Sequence, residues 1–164
     1  MNTEITEYVE LSLKAAAALQ LAIAVLNLFL VPLLKWKEDL ARVPLLLREV
    51  FQVHAWFISV TLAIFGVLTW RFAADIAGRV APLDRWLAAG IGLFWGLRTV
   101  LQVGYYSSTH WRGKPGRTLV HVALLFLYGG LAAVYLWTAL APVNVGEKER
   151  GAGLQSSGVY AASR

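Results

Sequence analysis

A chain of 164 residues that is 58% hydrophobic and only 15% charged lies outside the range of soluble domains, where about 25% of residues are charged. The absence of cysteine excludes structural disulfides, thiolate metal sites, thiol redox relays and cysteine nucleophiles. The net charge of +5 reads as membrane topology and contact with anionic lipid, and no nucleic-acid partner is expected.

The apolar residues fall into four blocks of about 20, the length that crosses a hydrocarbon core. They predict spans over 11–34, 50–70, 86–106 and 118–140. The leader MNTEITEYVE is acidic and no small-residue cleavage site follows the first block. The first span is therefore expected to remain as a helix rather than leave as a signal peptide. Between spans one and two, KWKEDLARVPLLLRE mixes Trp, Leu and basic residues and predicts a short interfacial helix interrupted at Pro44. The second connection, RFAADIAGRVAPLD, is short and mildly polar; the third, SSTHWRGKPGR, is a basic turn containing Gly and Pro. Past residue 140 the composition turns to Gly, Ser and Ala, so 141–164 is expected to be a flexible tail. The expected fold is all-α, a polytopic four-transmembrane-helix bundle over 1–140.

Four spans put both termini on one side. Glu4, Glu7 and Glu10 precede the first span, Lys35 and Lys37 follow it, and loop three is basic throughout. The positive-inside rule then places loops one and three in the cytoplasm and both termini outside it. Dense use of Ala, Leu, Trp and Arg points to a GC-rich bacterial genome, and the expected location is a bacterial inner membrane. The lipid bilayer is the first partner expected, with a second copy or a membrane-complex subunit as the next.

Small residues let membrane helices approach closely. Ala88, Gly92 and Gly96 recur at four-residue spacing in span three, Ala55, Ser59 and Ala63 in span two, with Gly66 nearby, and span four carries Gly129 and Ala133. These ridges predict that spans two, three and four touch through their backbones. Trp36, Trp70, Trp86 and Trp111 fall at span ends and read as an interfacial belt.

Polar groups inside a membrane are costly and therefore informative. Gln20, Ala24 and Asn27 share a face of span one; Arg98, Gln102 and Tyr105 share one in span three; His121, Leu125, Tyr128 and Ala132 form a stripe in span four. In span two, Glu49, Gln52, Trp56 and Ser59 form a stripe with His54 nearly opposite. Counted from loops one and three, His54, Gln102 and His121 lie at matching depth, with Glu49, Tyr105 and His110 just beyond.

Several readings follow. Arg98, Gln102 and Tyr105, with Glu49 at the rim, would bind an anionic or quinone-like lipid ligand at the loop-three end. His54 and His121 would ligate a b-type haem, an arrangement similar to the four-helix cytochrome b membrane proteins in architecture, though without a sequence signature of that family. With His110 and Glu49 the same histidines would instead hold a non-haem metal, although no close chelating pair occurs on one helix. On the plainest reading Gln20, Asn27 and Gln102 are interhelical hydrogen-bonding glue, and the histidines sit at the headgroup level. No Ser/His/Asp order, phosphate-binding Gly loop or paired carboxylates occur in the spans, and no carboxylate lies deeper than Glu49 to serve a proton pump. The leading expectation is a non-enzymatic subunit or oligomer with a polar ligand site; the alternative is a redox protein holding haem or metal.

Overall fold

Proline decides where the first helix stops. Pro32 has no N–H to give to the Leu28 carbonyl and its ring crowds that position. Accordingly α1, Thr3–Leu28, ends there, and the chain tightens through Phe29 (N–H to Leu26 O, 3.1 Å) into a single turn, α2, Leu30–Leu33. The interfacial helix of the first connection is α3, Lys37–Ala41. Pro44 then stands in extended geometry (φ −48°, ψ 142°) as the entry to α4, Leu45–Arg71.

The second connection is more ordered than its mild polarity suggests. It contains α5, Ala73–Gly78, whose Ala73, Ile76 and Ala77 are buried. Arg79 closes α5 in the left-handed region (φ 53°), returning its N–H to the Asp75 and Ile76 carbonyls. Pro82 opens α6, Pro82–Gly104, at the position where a missing N–H costs nothing, and Asp84 accepts the Ala81 N–H at 2.7 Å. The last helix is α7, Pro115–Leu140. The computed structural model describes residues 3–33, 36–79, 81–105 and 115–141, with Leu30, Asp39 and 115–117 described by backbone alone. His110, Trp111 and the tail beyond Ala141 lie outside the described residues.

Four of these helices, α1, α4, α6 and α7, are long and apolar enough to cross a membrane. Their outer faces carry Phe57, Leu93, Phe126 and Trp137, each about 70% exposed or more, which water would not tolerate and acyl chains would cover. This inside-out distribution fits a small membrane protein.

The bundle is built from two hairpins, α1 with α4 and α6 with α7, joined by lighter α1–α7 contact and by α5 tucked against α1. Close approach needs glycine at one point in each hairpin. A Cβ on Gly66 would lie 2.8 Å from Leu21 Cγ and 3.1 Å from the Ala17 carbonyl; one on Gly92 would lie 3.0 Å from the Leu136 backbone nitrogen. The small ridge of span two is thus occupied by α1, where the sequence spacing had pointed to spans three and four. In α6 the ridge divides: Ala88 is buried and Gly92 meets Leu136 of α7, whereas a Cβ on Gly96 would meet nothing within 4 Å. Between the hairpins, Phe65 of α4 meets Phe94 of α6 edge to face.

Candidate functional site

Lipid supplies no hydrogen bonds, so polar side chains turned into a membrane bundle must satisfy one another. One buried set takes a residue from each span: Gln20 of α1, Thr69 of α4, Trp95 of α6 and Tyr135 of α7. An indole can only donate, which fixes the amide orientation: Trp95 Nε1–H gives to Gln20 Oε1 at 3.1 Å. Gln20 Nε2 then donates to the Tyr135 hydroxyl, and that hydroxyl donates to Thr69 Oγ1 at 2.8 Å. Nearer loop one, Asn27 Nδ2 donates to the Ala55 carbonyl (2.9 Å) and to Ser59 Oγ (2.8 Å), fastening α1 to α4. These contacts are interhelical glue, as the shared face of Gln20, Ala24 and Asn27 suggests.

A second polar seam runs between α6 and α7 toward loop three. Trp95 stacks on Tyr128 (centroids 5.3 Å apart, planes 26° apart), and the Arg98 guanidinium carbon lies 4.9 Å from the Tyr128 ring centre. One turn on, Gln102 Nε2 stands 3.0 Å from His121 Nδ1. Gln102 is 3% exposed, and among the described residues its amide oxygen is buried without a hydrogen-bond partner. Leaving such an acceptor unpaired costs about 1–3 kcal/mol, so the seam presents one open hydrogen-bond acceptor beside a guanidinium and an imidazole. Gln102 reaches this seam because it continues the buried stripe of Ala88, Gly92 and Trp95.

Of the residues singled out by sequence, the structure pairs Gln102 with His121 and sets Arg98, one turn back on α6, over the ring of Tyr128. Tyr105 stands at the end of α6, 82% exposed. Glu49 lies apart from the seam, exposed on a groove between α3 and α4. His54 is exposed on α4, in the other hairpin. Haem or metal ligation gains no support: His54 is turned outward, and among the described residues no group of three or more His, Asp or Glu gathers to hold a metal. Trp36, Trp70 and Trp86 are exposed near span ends as belt residues should be.

The sequence reading missed Thr69, Trp95 and Tyr135 as a network. The signal was there in part, since Trp95 and Tyr135 lie well inside their spans, too deep for a belt. Compared with protein-family models, curated proteins and solved structures, the chain shows no match.

Proposed function

We propose that this small membrane protein is a non-enzymatic subunit or oligomer that holds a polar or amphiphilic ligand at the loop-three end of the α6–α7 seam. The observation that carries this reading is the Gln102 amide oxygen, buried and, among the described residues, unpartnered, with His121 on the amide nitrogen and Arg98 one turn back on α6. A hydroxyl on the ligand would donate to that oxygen. An anionic or electron-rich part of the same ligand would meet the Arg98 guanidinium. Among the described residues of the seam no activated nucleophile stands beside a base, so binding rather than turnover is the function inferred. On the same reading the site opens to the cytoplasm of a bacterial cell, with both termini outside, as the basic flanks of loops one and three direct.

Native mass spectrometry of the protein released from its own membranes tests the reading. A co-purifying small molecule should appear on the wild type and be lost from both Gln102→Leu and Arg98→Leu. Retention of that molecule by the Arg98→Leu protein, or a wild type that carries none, would refute it.

A further inference from the structure

A groove of about 410 Å³ opens between α3 and the first turns of α4, separate from the α6–α7 seam. Its apolar floor includes Leu40 and Leu45, and its polar wall is Lys37, Arg48, Glu49 and Gln52. Among the described residues these four polar groups make no ion pair or hydrogen bond with one another. Among the described side chains, two cations and one carboxylate therefore line one cleft with their charges uncommitted. The backbone adds to the positive side. α4 begins at Leu45 behind Pro44, no side chain caps it, and its first intrahelical bond is Arg48 N–H to Pro44 O at 3.1 Å. The N–H groups of the turn before that bond, and the helix dipole, favour an anion there.

Depth narrows what can enter. α4 has 27 residues and is about 40 Å long, against a hydrocarbon thickness of about 30 Å, so its first turn stands at the headgroup level. Trp36, edge to face with Phe51 at 6.5 Å, marks the same level. A group bound here is anchored among headgroups, with acyl chains free to follow the leucine floor.

We propose that this groove holds the headgroup of a zwitterionic aminophospholipid, its phosphate between Lys37 and Arg48 and its primary ammonium on Glu49. An anionic lipid such as phosphatidylglycerol would satisfy the cations but offer Glu49 no positive charge. A lipid with a quaternary ammonium would present charge without an N–H for the carboxylate to accept. Only a phosphate followed by a protonated amine answers both signs. Gln52, one turn beyond Arg48, faces the same headgroup and supplies both a donor and an acceptor.

The test is a lipid titration of the full chain in mixed micelles, read by thermal stabilisation. The probes are phosphatidylethanolamine, phosphatidylcholine, phosphatidylglycerol and the soluble headgroup glycerophosphoethanolamine. Phosphatidylethanolamine should bind about fivefold more tightly than the other two lipids, the factor a partly exposed ion pair supplies. Glu49→Gln should erase that preference. Arg48→Ala should weaken phosphatidylethanolamine and phosphatidylglycerol alike by about fivefold, the effect of one basic residue at a membrane surface. Lys37→Ala gives the same reading should Arg48→Ala misfold, and Arg71→Ala, outside the groove, should change nothing. Equal binding of the three lipids, a wild-type preference for phosphatidylglycerol, or a preference that survives Glu49→Gln would each overturn the proposal. So would soluble headgroup that binds as tightly as the lipid, since the groove would then serve a free phosphodiester.

Discussion

The indole of Trp95 gives its proton to the side-chain oxygen of Gln20 across 3.1 Å, joining two helices, α6 and α1, that scarcely approach one another elsewhere. With Tyr135 and Thr69 completing the set, the two hairpins are held together by polar contacts in a protein whose apolar surfaces prefer lipid as readily as each other.

That network should be measurable as stability. Gln20→Leu leaves the Trp95 N–H without its acceptor and the Tyr135 hydroxyl without its donor. It should cost about 2 kcal/mol, the upper end for membrane hydrogen bonds because two partners are stranded together. Tyr135→Phe should cost about 1 kcal/mol. Denaturant unfolding in mixed micelles measures both, and values near zero for both would mean that the hairpins are held by packing alone.

Glycine at the α6–α7 contact offers a sharper contrast. A side chain at Gly92 meets the Leu136 backbone, so Gly92→Val should destabilise by about 2 kcal/mol or more through overpacking. Gly90 has open space on its outward face, and Gly90→Ala should stabilise by about 0.5–1 kcal/mol through helix propensity alone. The same unfolding assay, run on the pair, should give opposite signs.

The two histidines of the spans should behave differently. His121→Ala removes the partner of the buried Gln102 amide and should cost about 1–2 kcal/mol. His54 is exposed on α4, and His54→Ala should stay within about 0.5 kcal/mol. Equal effects would place the two imidazoles in equivalent surroundings.

Arg79 combines an unfavourable backbone with a buried charge. Its φ of 53° suits glycine, and burial together with the nearby Arg85 pushes its guanidinium pKa down from the ordinary value. The lowered pKa means that the charged form is held at a cost when folded, a cost that fades only as pH rises through the folded pKa. Arg79→Gly should therefore stabilise at neutral pH by about 1 kcal/mol, the scale of a left-handed residue given up. Differential unfolding of the two proteins checks the sign, and a loss of stability would mean that the contacts the Arg79 side chain makes outweigh its strain.

Four spans were legible because a membrane helix must be apolar for about 20 residues, and the blocks are there. Of the proline-set helix ends, only the break at Pro44 was legible, because the expected span 11–34 ran through Pro32, whereas α1 stops at Leu28, and the span expected from 86 opens at Pro82. The roles of Gln20 and Asn27 followed from the expense of polar atoms in lipid. The 3.6-residue period shows which residues share a face, as Ser59 and Gly66 nearly do, but not which helix meets it. In water an amphipathic stripe marks the inside. In lipid every face is apolar, so tertiary packing alone decided that α1 takes the ridge of α4. The same packing drew Trp95 out of any belt and into the core, folded Ala73–Gly78 against α1, and closed Gln102 on His121 while leaving Glu49 and His54 elsewhere.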